Sequence, residues 1–129
     1  MTRFLIVAAG GALGAVARYG VGRLLPAGGW PWATLTVNVA GGLLMGLLAG
    51  WLAFRGGVQG ESIRLFAAVG VLGGFTTFSA FSLEAALLIE RRQLAMAGGY
   101  VLASVILSIA ALFLGLMVVD AVGLGAEVA

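Results

Sequence analysis

Long apolar stretches, separated by short polar clusters, divide this chain into four hydrophobic segments. They fall at roughly residues 4–25, 32–54, 63–90 and 95–119, and each reaches the length of about 20 residues that a bilayer crossing requires. The clusters between them are rich in glycine, proline and charge, and connections this short place neighbouring helices antiparallel. The pattern therefore predicts an all-α integral membrane protein in which residues 1–129 form a single domain of four transmembrane helices.

The third segment is interrupted by a glycine-rich and polar run at residues 70–82, GVLGGFTTFSAFS. This run brings three glycines, four hydroxyl side chains and three phenylalanines to mid-membrane depth. A broken backbone at that depth is tolerated only where protein or a water-filled cavity satisfies its polar groups. We therefore expect the third helix to break mid-membrane and the break to line a path or a binding site.

The composition supports a membrane protein and excludes several other classes. Of the 129 residues, 62% are apolar and 9% are charged, whereas about a quarter of the residues in soluble domains are charged. The chain has no cysteine and no histidine, so it has neither disulfides nor the usual general base. Its net charge of +2 is too small for nucleic-acid binding, and the lack of a Ser–His–Asp set or a phosphate loop argues against an enzyme.

The arginines, which are the only basic residues, are divided evenly between the two sides of the membrane. The side that holds both termini has Arg3, Arg55 and Arg64. The other side has Arg23, Arg91 and Arg92, with Arg18 about a turn and a half deeper. Because basic residues in short loops set topology, two interpretations stay open: insertion in both orientations, with opposed copies pairing, or a weak bias that still selects one orientation.

Glycines at helical spacing form two faces that allow close backbone approach. One face contains Gly10 and Gly14 in the first segment, and the other contains Gly42, Gly46 and Gly50 in the second. Packing within one subunit is the simpler explanation, and we favour it for the first segment. Together with the small size of the chain, the glycine faces also favour a homodimer.

Two helix faces place polar groups inside the membrane. Asn38 lies one turn after Thr34, and its amide could either join helices or donate hydrogen bonds to an anion. In the fourth segment, Tyr100, Ser104 and Ser108 are spaced by four and share one face. Isolated serines in membrane helices usually bond back to their own helix, but three hydroxyls in register suit the stepwise dehydration of a small ion.

Aromatic and charged residues near the break complete the candidate chemistry. Phe78 and Phe81 share a face if the segment after the break is helical, and ring edges are electropositive. Unwound backbone at residues 76–77 could bind a cation through carbonyls or an anion through amides. Arg18 is either an interfacial anchor or part of an electropositive vestibule, while Glu84 is expected to be structural and to pair with an arginine of a neighbouring helix. Neutral donors with arginines near the mouths favour a small anion.

Three motifs resemble the CrcB/Fluc fluoride channels of bacteria: GGALGAVARY at residues 10–19, TLTVNVAG at 34–41 and GGFTTFSAFS at 73–82. The third is the most specific, and the resemblance covers all four segments. It implies an antiparallel, dual-topology homodimer in the cytoplasmic (inner) membrane, surrounded by lipid, with two narrow pathways for passive fluoride export. Ala80 and Ala33 replace residues that are common in the family, and neither change removes a group assigned a role.

The resemblance also assigns roles to individual residues. Arg18 would lie at a vestibule of the pore. A structural sodium ion would bind main-chain carbonyls at the dimer axis, with Gly73 and Thr76 at the matching positions. The fluoride pathway itself would be lined by Asn38, Phe78, Phe81, Tyr100, Ser104 and Ser108.

Two other functions compete with a fluoride channel. A small dual-topology exporter of organic cations should have a carboxylate in the first segment, and this sequence has none there. A non-conducting subunit of a larger membrane assembly would explain the glycine faces but would leave the hydroxyl stripe unused.

Overall fold

The computed structural model describes residues 1–54 and 58–122, which are helical apart from short connections. Arg55, one of the arginines in the charge comparison, lies outside these residues. A π-helical segment, Arg64–Leu72, belongs to the third hydrophobic segment. The α-helices in chain order are α1 (Thr2–Leu24), α2 (Trp32–Phe54), α3 (Val58–Ile63), α4 (Gly73–Phe75), α5 (Phe78–Glu90) and α6 (Leu94–Ala121).

Four helical stretches of the described chain are long and apolar enough to cross a membrane: Thr2–Leu24, Trp32–Phe54, Gly60–Glu90 and Leu94–Ala121. The prediction of an all-α membrane protein with four transmembrane helices is therefore confirmed. The third stretch is composite, since it contains most of α3, the π-helical segment, α4 and α5.

Two consecutive threonines form the break in the third span. Thr76 (φ −86°, ψ 159°) and Thr77 (φ −152°, ψ 122°) are both extended. The amide and the hydroxyl of Thr76 both donate to the carbonyl of Leu72, at 3.0 and 2.9 Å, and so close the end of α4. Thr77 Oγ1 accepts from the amide of Ala80 at 3.1 Å, which makes it the N-cap of α5. The predicted mid-membrane break is confirmed, and each threonine has its own part in it.

The glycines of α1 let that helix lie directly against the first half of the broken span. A Cβ atom added at Gly10 would lie 3.0 Å from the Cα atom of Gly70, and one at Gly14 would lie 2.8 Å from the amide nitrogen of Phe75. A Cβ at Gly74 would in turn lie 2.5 Å from the carbonyl oxygen of Gly11. The preferred interpretation of the first glycine face, packing within one subunit, is confirmed.

The glycines of α2 face α6 of the same subunit. A Cβ added at Gly42 would lie 2.6 Å from the carbonyl oxygen of Ser108, and one at Gly50 would lie 3.1 Å from the side chain of Val119. Gly46 approaches the backbone of α6 between them. Because both glycine faces are used inside the subunit, the argument from these faces to a homodimer is wrong. The dimer prediction then rests on the small size of the chain, the arginine balance and the family resemblance.

The buried core lies between α2, α5 and α6, beside the end of the span where α2 begins. Tyr100 is fully buried at its centre, and Trp30 packs against the cluster from the α1–α2 connection. The other members of the core are Leu35, Phe81, Ala85, Leu88 and Ala97. This core fixes the second half of the broken span against α6, and it thereby positions the residues that follow the break.

Candidate functional site

An open groove of about 460 Å³ lies beside the helix break, between α2, α5 and α6. Neutral polar groups, aromatic rings and aliphatic side chains form its walls, and none of its lining residues is charged. Five of the six residues predicted to line the pore meet there: Asn38, Phe78, Phe81, Ser104 and Ser108. The structure thus brings together residues that are up to 70 positions apart in the sequence.

Asn38 ties α2 to the break through two hydrogen bonds. Its Nδ2 donates to the carbonyl oxygen of Thr77 at 3.0 Å, and its Oδ1 accepts from the amide of Thr77 at 2.8 Å. Since a side-chain amide carries two N–H donors, one donor is left for a ligand in the groove. Asn38 therefore joins the second span to the third, as one interpretation predicted, and it also lines the groove. Donation to an anion stays a prediction.

Phe78 and Phe81 lie on the same face of α5, as their spacing predicts, but in different environments. Their ring centroids are 5.5 Å apart with an interplanar angle of 47°. Phe81 is 9% exposed and packs against Tyr100 with centroids 5.3 Å apart, whereas Phe78 is 79% exposed in the single subunit. One ring is fixed by the core, and the other extends from the open side of the groove.

The three hydroxyl residues on one face of α6, Tyr100, Ser104 and Ser108, lie in different environments. Ser104 is buried, and its Oγ has no hydrogen-bond partner among the described residues. Ser108, one turn further along, is half-buried on the groove wall. Tyr100 is fully buried and is not part of that wall, and its hydroxyl donates to Oε2 of Glu84 at 2.8 Å. Ser104 and Ser108 thus belong to the groove wall, and the Ser104 oxygen is buried in the single subunit.

Glu84 is held by two hydroxyl groups. Thr34 Oγ1 donates to its Oε1 at 2.7 Å, and the Tyr100 hydroxyl donates to its Oε2. No arginine of the described chain lies within 4.0 Å of this carboxylate, so the prediction that Glu84 pairs with an arginine is wrong. Thr34 and Tyr100 come from helices that α5 packs against, and they supply the donors that an arginine was expected to supply.

Sequence reasoning did not connect these three residues. The one available signal was the position of Thr34, one turn before Asn38 on the same face of α2.

Arg18 lies in a second cavity, of about 480 Å³, on the other side of the break. Arg23, Thr34, Thr77 and Glu84 also line this cavity. The Arg18 side chain reaches back to the broken span, where its Nε donates to the carbonyl oxygen of Gly74 at 3.1 Å. Arg18 thus lines a cavity beside the break, and its place in a pore vestibule stays a prediction.

The hydrogen bonds at the break also affect the two carbonyls assigned to sodium. In a continuous helix the carbonyl of Gly73 would accept from the amide of Thr77, and that of Thr76 would accept from the amide of Ala80. Here the amide of Thr77 donates to Asn38, and the amide of Ala80 donates to the Thr77 hydroxyl. Both carbonyls are thereby released from their helical donors, so the site fits a hard cation bound by main-chain oxygens.

Acidic or imidazole ligands offer no alternative cation site in residues 1–54 and 58–122. No group of three or more His, Cys, Asp or Glu side chains there could hold a metal ion.

Together, the four spans, the broken third helix and the uncharged groove define a small helical membrane protein with a candidate path for an ion. A family model described as "CrcB-like protein, Camphor Resistance (CrcB)" matches residues 5–116. The chain belongs to this family.

Several relatives are similar over nearly their whole length. A protein of Caulobacter sp. (strain K31) is 62% identical over 122 residues, which are 92% of this chain and 94% of the relative. A protein of Caulobacter vibrioides (strain NA1000 / CB15N) is 60% identical over 121 residues, 92% of this chain and 95% of the relative. One of Phenylobacterium zucineum (strain HLK1) is 59% identical over 120 residues, 91% of this chain and 94% of the relative. All three bear the name "Fluoride-specific ion channel FluC".

Proposed function

We propose that this chain is the subunit of a fluoride-selective channel that lets fluoride leave the cytoplasm passively across the inner membrane. The observation that carries the proposal is the groove, where donors and aromatic rings from α2, α5 and α6 meet without a fixed charge. The names of the relatives support the same ion and favour a channel over an enzyme. Passive export would reduce the toxicity of fluoride inside the cell.

The groove offers replacements for the water that surrounds fluoride in solution. Fluoride is small and strongly hydrated, so a narrow path must supply protein donors in place of water. The remaining N–H of Asn38 and the hydroxyls of Ser104 and Ser108 are such donors, and the ring edges of Phe78 and Phe81 are electropositive. These neutral groups bind an anion weakly, and conduction requires an ion that can leave as well as enter.

The start of α5 adds a favourable field. This 13-residue helix begins at Phe78, directly beside the groove. The N-terminal end of a helix carries a partial positive charge and exposes unpaired amides. An anion near the break is therefore stabilised without a basic side chain in the groove.

The working unit in this proposal is an antiparallel homodimer with dual topology. The groove is open in the single subunit, and Phe78, which lines it, is 79% exposed. A second, inverted copy would cover this side and turn each groove into a closed pathway. The near-equal number of arginines on the two sides of the membrane supports insertion in both orientations.

A structural sodium ion at the dimer axis completes the proposal. The carbonyls of Gly73 and Thr76 would hold it, since their helical donors are engaged elsewhere. When bound, sodium would supply positive charge that draws the main-chain oxygens of the two opposed breaks together.

The experiment that tests the channel is anion efflux from liposomes that contain the purified, folded protein. We expect fluoride to leave at least about a hundredfold faster than chloride. This ratio corresponds to a difference of about 2.7 kcal/mol between the activation free energies for passage of the two ions. Folded protein that releases no fluoride contradicts the proposal. Efflux of an organic cation driven by a proton gradient would instead support the exporter.

A further inference from the structure

A third cavity, of about 310 Å³, lies under the α1–α2 connection, away from the groove. The end of α1, the connection at residues 26–31, the start of α2 and the last turns of α5 form its walls. It shares no lining residue with the groove, but it adjoins the cavity of Arg18, with which it shares Gly22, Ala33, Thr34 and Glu84. We propose that this third cavity binds the phosphate group of an anionic phospholipid, and we call it the headgroup pocket.

The first argument is an unpaired donor held in a fixed position. Trp30 lines the pocket, and its indole nitrogen is buried without a hydrogen-bond partner among the described residues. The ring is clamped between two aromatic neighbours, with centroids 5.9 Å from Trp32 and 5.7 Å from Tyr100. An indole N–H can only donate, so the group it binds must be an acceptor.

The second argument is charge. Arg91 also lines the pocket, and no carboxylate of the described chain lies within 4.0 Å of its guanidinium group. Glu84 is the acidic residue of the lining, and its two oxygens already accept from Thr34 and Tyr100. The positive charge of Arg91 therefore favours an anion in this pocket. Guanidinium and phosphate groups form strong, charge-assisted hydrogen bonds.

The third argument is size and depth. The pocket is far larger than a bare halide ion, and proline, alanine and leucine side chains share its walls, as suits a phosphate that carries a glycerol group. It lies where helices begin and end, beside two tryptophans that are typical of the membrane interface. Leu24 and Ile89, at the same ends of their helices, are 84% and 54% exposed. Acyl chains can lie along these apolar surfaces while the phosphate occupies the pocket.

The experiment measures lipid binding to the purified full chain by native mass spectrometry. The probes are dioleoylphosphatidylglycerol, dioleoylglycerol, which has the same acyl chains without phosphate, and inorganic phosphate. We expect phosphatidylglycerol to bind at least about tenfold more tightly than dioleoylglycerol, the ratio that one charge-assisted hydrogen bond provides. Inorganic phosphate should not displace the lipid at equal concentration.

Substitutions of lining residues test whether the lipid binds in this pocket. Arg91→Gln should weaken phosphatidylglycerol binding about tenfold or more, and Trp30→Phe should weaken it while keeping the aromatic packing. Arg92→Gln is the matched control, since Arg92 is the next residue but does not line the pocket.

Wild-type affinity in Arg91→Gln overturns the proposal even if Trp30→Phe does not fold. Displacement of the lipid by inorganic phosphate would show that the pocket takes free phosphate, and it would overturn the lipid as its occupant. The measurement contains no fluoride, so its failure is distinct from a failure of the channel proposal.

Discussion

The side-chain amide of Asn38 forms two hydrogen bonds with the backbone of Thr77: it donates to the Thr77 carbonyl oxygen at 3.0 Å and accepts from the Thr77 N–H at 2.8 Å. A side chain of the second span thereby supplies the hydrogen-bond partners that neighbouring turns of a continuous third helix would supply to Thr77. The amide of Thr77 donates to Asn38 and not to the carbonyl of Gly73, so this one side chain contributes to the break, the groove and the candidate cation site.

The first prediction concerns this pair. Asn38→Asp removes the donor to the Thr77 carbonyl and places a negative charge on the groove. We expect fluoride efflux from liposomes to fall at least about tenfold, because one lost hydrogen bond to a buried backbone group is worth about 1–3 kcal/mol. Thr36→Val, at an exposed position of the same helix, should conduct normally. Normal efflux in Asn38→Asp would show that the pair is not needed.

The second prediction separates function from stability at Ser104. Its hydroxyl has no partner among the described residues, so Ser104→Ala loses no hydrogen bond within the subunit. Thermal unfolding of the variant should match or exceed the wild type, while fluoride efflux should be slower because a donor to the ion is gone. Ser82→Ala, at an exposed position outside the groove, is the control for efflux. A destabilised Ser104→Ala protein would show that the hydroxyl has a structural partner.

The third prediction compares the two phenylalanines. Phe78→Ile and Phe81→Ile should both slow fluoride efflux, since each removes a ring from the groove. Only Phe81→Ile should lower the stability of the subunit, because Phe81 is 9% exposed and packs against Tyr100 while Phe78 is 79% exposed. Thermal denaturation in detergent, under conditions in which the protein is monomeric, measures the difference. Equal destabilisation would contradict the structural distinction between the two rings.

The fourth prediction concerns the close approach of α1 to the broken span. Gly14→Ala would bring a methyl group within 2.8 Å of the Phe75 amide nitrogen, and backbone atoms cannot move aside easily. We expect a loss of about 1–3 kcal/mol in the free energy of unfolding, as for other overpacked sites. Gly20→Ala makes the same change on the same helix with nothing within 4 Å, and it should leave stability unchanged or slightly higher. If the two variants unfold alike, the close packing is not formed.

The fifth prediction concerns the carboxylate held by Thr34 and Tyr100. Glu84→Ala leaves two buried hydroxyls without their acceptor, and each such loss amounts to about 1–3 kcal/mol. We expect a clear drop in the unfolding temperature, with Glu84→Gln in between because its amide oxygen still accepts one hydroxyl. Glu90→Ala, at an exposed position of the same helix, should unfold like the wild type. An arginine partner for Glu84 would be indicated if raised salt concentration destabilised the wild type but not Glu84→Gln.

Features that depend on neighbours along one helix were predicted correctly from the sequence. The apolar lengths predict four spans, and the glycine-rich and polar run at residues 70–82 predicts a break. In the structure, the hydroxyls of Thr76 and Thr77 both bond to nearby backbone at that break. The shared face of Phe78 and Phe81 also follows from helical spacing. The partner of Glu84 could not be predicted in this way, since Thr34 and Tyr100 approach it from positions 50 residues before it and 16 after it.

The sequence by itself determined that this chain is a four-span membrane protein with a broken third helix and donors suited to a small anion. These properties follow from apolar length, backbone chemistry and side-chain type, which are local. The tertiary structure alone decided which donors remain free. The Tyr100 hydroxyl donates to Glu84 and one N–H of Asn38 donates to Thr77, while the Ser104 hydroxyl, in the groove wall, has no partner among the described residues. Hydrogen bonds between spans depend on the relative position of helices, and packing sets that position.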